Sequence, residues 1–571
     1  MASIVRVAVL IWADLLAWFA MWVMVTYLTN EWKISVIHAA GIVNISEGTA
    51  AILSVVFAFF VDAFMGNYYM LLLSSIAYTI GLGLLSLSTP TVLRSHSGIG
   101  DTQKVLFYTA ISLIVVGIAG HMVSLVPFLN EQDTEKGRKF LLQLPGIFIV
   151  VIVGVIGALA LPYIKPWSIR FGVPAICTLF ATLLFLSGSL SYNKVSPTGS
   201  SLTILLRVFI AFTSNMFKPL PNNTDQLYEH DGQGLRSLPR TPGFRCLDKA
   251  AIKPTTREEQ KQSKWRLCRI TEVEETKVVI RMIPVWITFI ICGIVLSVGN
   301  TYFLEQANHM NRKIGKVNVP FTFFLLMSNF SKLIFPKLYT KISSPWGRYA
   351  PRIGIAVAMI FSILGCITAA IVETRRLEII QSHHLQDKPN ATIPMKMFWL
   401  LPQFLLLGAH EGIYKKCVAS FFADQAPQWI LDKYRRSFSN GMLGLGFMSS
   451  VLSVYVVRKV SEMGGKSWFQ HTLSKSHLDY YYWILAGLSA LNLVYYMVLL
   501  CLYTYGDSKV EDQEVPQTEG ISASPANDNT QMLAIMTVDT SNSKLHDRES
   551  EWSDLSRFHI KYLSIGNSNQ R

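Results

Sequence analysis

Apolar runs of about twenty residues recur from Val5 to beyond Tyr496, each long enough to cross a ~30 Å hydrocarbon core as a helix. No water hydrates a peptide group at that depth, so a spanning backbone must satisfy itself as a helix or a closed barrel. These runs are continuous in apolar character rather than alternating, which selects helices. Charged residues make up only 15% of the chain, against roughly 25% in a soluble globular protein, and the deficit is spread along the sequence. The pattern predicts spans over 4–29, 36–61, 68–89, 105–127, 141–163, 170–191, 279–304, 319–341, 353–372, 395–421, 438–460 and 479–504. The first run contains Asp14, follows only Arg6 and has no small-residue cleavage site before Trp32, so it reads as span 1 rather than a removed leader.

Six spans, a long polar insertion and six more spans describe an all-α membrane protein of the major facilitator architecture. Its two six-helix bundles enclose a site near the bilayer midplane. The boundaries are 1–191 for the first bundle, 192–278 for a central loop, 279–505 for the second bundle and 506–571 for a tail. The tail is rich in Ser, Asn, Asp and Gln and reads as disordered and cytoplasmic.

A net charge of +14 raises the question of nucleic acid, but thirteen Lys and Arg lie between Tyr192 and Thr276. In a polytopic chain that concentration marks a cytoplasmic loop facing anionic lipid, so the bilayer is the expected partner and nucleic acid is not. The seven cysteines form no CxxC pair, and neither a zinc site, a disulfide framework nor a cofactor is expected. No metal cluster or nucleophile–base constellation points to an enzyme.

Several long strings carry a family resemblance. FRCLDKAAI (Phe244 to Ile252), WRLCRITEVEETK (Trp265 to Lys277) and RMIPVW (Arg281 to Trp286) lie around the central loop. WLLPQFLLLGAHE (Trp399 to Glu411), FFADQAP (Phe421 to Pro427) and SHLDYYYWILAGLSALNLVYY (Ser476 to Tyr496) lie in the second half. Gly48-Thr49 and DAFMGNYY from Asp62 lie in the first. Over about residues 5–505 the chain resembles the plant nitrate/peptide transporters of the proton-dependent oligopeptide transporter superfamily. The resemblance implies a carrier of a small solute, with protons as a possible second partner, in the plasma membrane or the vacuolar membrane. Family substrates range from nitrate to peptides and plant hormones.

The departures from the family are as informative. Its members carry an E-x-x-E-R triad on span 1, a lysine on span 4 and a glutamate on span 10, which together couple protons to substrate. Here the triad positions read Ile11, Asp14 and Leu15, and a one-residue slip of register supplies neither glutamate nor arginine. GIAGHM from Gly117 puts Met122 at the lysine position with His121 beside it, and only the span 10 acid, Glu411, is retained. The departures predict a carrier whose transport depends weakly on external pH. An uncoupled or efflux-type facilitator and a non-transporting sensor are the alternatives. Two substitute relays stay open: Glu47 with His121, or Lys415 cycling on and off Glu411.

Ionisable residues inside apolar spans are costly and are functional candidates by default. They are Asp14, Glu47, His121, His410, Glu411 and Lys415. Glu411 and Lys415 stand at i and i+4, on one helix face. Each also has a structural reading: Lys415 as a side chain reaching for the headgroups, Glu411 as its ion-pair partner, Asp14 and Glu47 as buried neutral acids, and the histidines as packed polar groups. Asp62, at the end of span 2, reads as a gating or capping residue. Of the glycosylation sequons, Asn390-Ala391-Thr392 falls in a loop expected outside.

Overall fold

In the computed structural model the apolar runs that fall on described residues are helices. The structure describes residues 2–90, 92, 100–132, 152, 156, 160–197, 199–200, 202–220, 227–228, 243–253, 268–388, 391–425, 432–465 and 467–513. The chain divides into two units, Met1–Val494 and Tyr495–Arg571. Among its described residues the second unit holds only the end of the last helix.

The first half contains α1 (Ala2–Ala8), α2 (Leu10–Trp22), α3 (Met24–Asn30), α4 (Val36–Phe60), α5 (Gly66–Leu87), α6 (Asp101–Glu131) and α7 (Trp167–Ser187). α8 (Leu202–Ser214) belongs to the central loop. The second half contains α9 (Ile270–Asn300), α10 (Tyr302–His309), α11 (Phe323–Ser343), α12 (Ala350–Ser382), α13 (Leu401–Gln425), α14 (Asp432–Met463) and α15 (Leu478–Gln513). Short strands β1 (Met310–Asn311) and β4 (Ile393–Lys396) pair in parallel, and β2 (Lys313–Ile314) with β3 (Val317–Asn318) forms a small hairpin.

Among the described residues, eight helical stretches are long and apolar enough to cross a membrane. Two of them, Val36–Leu87 and Phe323–Ser382, each contain two helices joined near a glycine of positive φ, Gly66 at 69° and Gly347 at 48°. Only glycine takes that backbone region at no steric cost. α13 adds a further helix of membrane length whose stretch GAHEGIYKK lowers its hydropathy. The expected span 141–163 lies outside the described residues except at 152, 156 and 160–163, where Leu161–Tyr163 forms a 3₁₀ turn.

Three boundaries differ most from those expected. α9 begins at Ile270 rather than 279, because Glu272 accepts from the Arg269 backbone N–H and caps a polar first turn. α12 continues to Ser382 rather than 372, because Glu373 and Arg376 pair inside the protein and carry the helix past its apolar run. α15 runs to Gln513, into the segment expected to be disordered from 506, through a stretch of helix-compatible residues with no proline. The rest of the tail lies outside the described residues.

Close helix crossings depend on missing side chains. A Cβ at Gly48 of α4 would stand 2.7 Å from the Gly444 carbonyl of α14, and one at Gly444 would stand 2.7 Å from that of Gly48. α9 and α14 cross the same way at Gly293 and Gly446. On α13, Gly408 and Gly412 lie one turn apart against the α11 backbone, where added Cβ atoms would meet Ser328 O at 2.4 Å and Lys332 O at 2.5 Å. Small residues at i, i+4 let membrane helices approach, since packing rather than water exclusion drives their association. These crossings bring α4, a first-half helix, against α14, and set α11 beside α13.

The central loop is folded where it is described. Val208 and Ala211 of α8 pack with Leu227, Leu247, Ala250, Ala251, Cys268, Ile270 and Val273. Leu227 and Ile252 form an antiparallel bridge. Beneath this core the Lys277 ammonium lies 2.6 Å from Asp248 and 2.7 Å from Glu274, and all three side chains are at most 3% exposed. Two of the family-like strings, FRCLDKAAI and TEVEETK, thus meet in one buried ion cluster.

Candidate functional site

In the first half, α2, α5 and α6 converge on Asp14. His121 Nδ1 lies 2.8 Å from Asp14 Oδ1, the Tyr78 hydroxyl donates to the same oxygen at 3.2 Å, and Ser75 Oγ lies 3.0 Å from His121 Nε2. The GIAGHM string makes this possible. A Cβ at Gly117 would collide with the Tyr78 ring at 2.6 Å, and one at Gly120 would collide with Ser74 Oγ at 1.8 Å. The glycines let α5 lie close enough on α6 for Tyr78 to reach Asp14. His121 is 2% exposed while Met122 is 41% exposed, so the inward position on α6 is that of His121. Asp14 therefore has a partner in this chain, and the Glu47–His121 relay left open by the sequence is not the arrangement found.

A second group spans the two halves. Glu47 of α4 is 4% exposed, and its Oε2 accepts from Asn300 Nδ2 of α9 at 3.0 Å. On the far side, Glu411 of α13 is held from two directions. Lys332 of α11 reaches its Oε2 at 2.7 Å, and Lys415, one turn on, reaches its Oε1 at 2.7 Å. Glu47 lies near enough to feel the charges of both Glu411 and Lys332. The expected pairing of Glu411 with Lys415 is present. Lys332 was not singled out from sequence, although a lysine within FLLMSNFSKLIF stands out by the rule that found the acids.

His410 is turned elsewhere. It is fully buried, and its Nδ1 lies 2.7 Å from the Ala358 carbonyl of α12, so it donates there and ties α13 to α12. Asp62 sits at the α4–α5 turn, where its carbonyl accepts from Gly199 N at 3.1 Å and its side chain engages Tyr434. Tyr434 Oη is 2.7 Å from Ser200 Oγ and donates to Ala58 O at 3.3 Å, which latches α14 to the end of α4. Asn390 lies outside the described residues.

A second link between the halves involves α3 and α10. Fully buried Glu305 accepts from Thr26 at 2.8 Å and Thr29 at 3.2 Å, and lies 3.0 Å from His309 Nε2. Glu305 falls within the apolar-flanked run TYFLEQ, yet its partners come from span 1, a pairing that no local pattern reveals. Glu373 and Arg376 of α12 form a second buried pair at 2.6 Å, joined by Gln306 at 2.7 Å. A cleft of about 340 Å³ lined by Leu377, Asp387, Trp468 and Lys475 includes none of the candidate residues. On its rim the Lys475 ammonium, 2.7 Å away, holds the Asp387 carboxyl below the usual carboxylate range. Among the described residues no group of three His, Cys, Asp or Glu is placed to hold a metal.

Comparison with known proteins places these features in context. The POT family profile matches residues 68–469. The Arabidopsis thaliana protein NRT1/PTR FAMILY 5.5 is 39% identical over 528 residues, covering 88% of this chain and 97% of that one. NRT1/PTR FAMILY 5.4 of the same plant is 30% identical, over 86% and 92%. Among solved structures, an auto-inhibited POT family peptide transporter superposes with a TM-score of 0.63 at 15% identity, over 92% of this chain and 99% of that one. The POT family transporter PepTSo gives 0.61 at 16% identity, over 88% and 98%. These structural likenesses concern the fold, a helical major facilitator architecture.

Proposed function

Since this chain belongs to the POT family, we propose that it is a carrier that moves a small solute across a plant plasma or vacuolar membrane by alternating access. Its family and structural relatives are transporters rather than enzymes. The observation that carries the reading is the polar group shared between halves: Glu47 of the first half, with Asn300, Lys332, Glu411 and Lys415 of the second. Ionisable groups in membrane spans cost several kcal/mol and are kept where they line a pathway. The Glu305 clasp on Thr26 and Thr29 and the Tyr434 latch on Ser200 join the halves through side-chain hydrogen bonds. Such bonds can part and re-form as the halves rock about a fixed site.

An uncoupled facilitator is the second reading, favoured by the absence of glutamate and arginine at the triad positions around Asp14. The test is a solute screen in oocytes at two external pH values, recording both uptake and current. Accumulation of a nitrate, peptide or organic solute above background supports a carrier. A membrane-localised chain that moves none of them while altering host signalling through its central loop would instead be a sensor.

A further inference from the structure

We infer that the end of α11 carries a lipid site, in which Lys337 and Lys341 hold the phosphate monoester headgroup of a phospholipid whose acyl chains lie along the helix. The site does not depend on the carrier reading.

The first ground is the helix surface. Ile334, Leu338 and Ile342 of α11 are all exposed. They recur every four residues, which lays them along one stripe of the helix. On a helix of membrane length, acyl chains cover such a stripe. Lys337 and Lys341 follow Ile334 and Leu338 by three residues each, so both stand beside the stripe, and both are exposed. Their long stems run along apolar surface while the ammonium groups reach headgroup depth.

The second ground is charge. Among the described residues neither lysine has an ion-pair partner. Two ammonium groups at i and i+4 repel each other, and from Gln306 to Val372 the sequence supplies neither Asp nor Glu. A phosphate monoester carries about −1.5 to −2 charge near neutral pH, as much as the two lysines together. A headgroup with one negative charge answers half of theirs, and a zwitterionic one almost none. Free phosphate would balance the lysines but makes no use of the apolar stripe that ends at them. A phospholipid uses both.

The turn beyond the lysines has the composition of a membrane–water boundary. Trp346 and Tyr349 are exposed, and such amphipathic rings favour headgroup depth. The Arg348 and Arg352 guanidinium groups lie 5.6 and 6.0 Å from the Tyr349 ring centre and add positive field there. Tyr339 donates to the Ala350 carbonyl at 2.5 Å, which fixes the start of α12 against the end of α11. α9 leaves the central loop at Ile270 and α11 returns toward it, so the turn meets the leaflet on that loop's side. In the topology expected from sequence that is the cytoplasmic leaflet, where anionic lipids concentrate.

The test uses the purified full-length protein in a neutral detergent, titrated with phosphatidic acid, phosphatidylserine or phosphatidylcholine, with bound lipid counted by native mass spectrometry. Phosphatidic acid is expected to bind about tenfold or more tighter than phosphatidylcholine, with phosphatidylserine between them, and to weaken as salt is raised. Each cation beside an anionic headgroup contributes roughly fivefold in affinity, so Lys337→Gln with Lys341→Gln is expected to lose about 25-fold. Lys337→Arg with Lys341→Arg keeps the charge and is expected to bind as the parent does. Lys313→Gln with Lys316→Gln neutralises two exposed lysines on the β2–β3 hairpin, at the other end of α11, and is expected to change nothing. Glycerol 3-phosphate at the same concentration is expected to leave the lipid bound. Phosphatidylcholine binding as tightly as phosphatidic acid overturns the site, as does parental affinity in the Lys337, Lys341 glutamine variant. An equal loss in the hairpin variant overturns it too, because net charge alone would then account for binding. Displacement by glycerol 3-phosphate overturns a lipid as the occupant.

Discussion

Asp14 and His121 lie 2.8 Å apart across two helices, so removing either takes away the other's partner in that contact. Asp14→Asn and His121→Gln are each expected to lower transport several-fold, and the double variant to be no worse than the more damaged single one. Non-additivity of that kind marks residues acting as one unit, and independent, multiplying losses would show that they act separately. Glu411→Gln removes the shared partner of two lysines while keeping volume. It is expected to cut transport at least tenfold at unchanged surface expression, and transport at the parental rate would reduce Glu411 to a structural role. The acids of both groups were legible in the sequence, because a carboxylate within an apolar run is conspicuous wherever it falls. Lys415, one turn from Glu411 on the same helix, was legible too, but the partners on other helices were not. Whether Asp14 meets His121 or faces lipid depends on helix rotation, and that rotation is set by Gly117 and Gly120 admitting Tyr78 and Ser74.

The helices themselves were readable from continuous apolar character, and their ends were less so. α9 and α12 outrun their apolar cores by about one to three turns, since ion pairing and capping carry a helix where hydropathy stops. At this scale the glycine crossings invite a direct test. Gly412→Leu would drive a branched side chain into the Lys332 backbone, 2.5 Å from where its Cβ would sit. The expected outcome is a separation of α11 from α13, with Lys332 withdrawn from Glu411 and transport lost. Leu placed at the open position Gly487, where a Cβ meets nothing within 4 Å, is the matched control and is expected to transport as the parent does. Equal behaviour of the two would show that the crossing does not set the lysine.

At the scale of the molecule, two of the links between the halves can be weakened one at a time. Thr26→Val with Thr29→Val strips Glu305 of both hydroxyl donors, leaving His309 as its partner. Tyr434→Phe removes the hydroxyl that meets Ser200 and Ala58. If the clasp and the latch guard opposite openings, a thiol reagent applied from either side will read opposite changes in access for the two variants. Identical changes would mean that both links lie on one gate. The six-plus-six arrangement behind this prediction was visible from hydropathy alone, whereas the links were not, because each joins residues more than 200 positions apart.

Within the central loop, Val208, Ala211 and Leu227 come from one side of residue 235, and Leu247, Ala250, Ala251, Cys268, Ile270 and Val273 from the other. The buried Lys277 contacts Asp248 and Glu274, both on the same side as itself. The apolar seam therefore joins two stretches of chain that need not be covalently continuous to recognise each other. A polypeptide cut between residues 230 and 241 and produced as two fragments should reassemble through this seam and co-purify. Lys277→Met, which removes the ammonium held between buried Asp248 and Glu274 at a cost of about 3–5 kcal/mol, should abolish the complementation while the uncut protein still reaches the membrane. The stretch that reads as a connector thus doubles as a docking joint, and the chain carries in its middle the means to be rebuilt from parts.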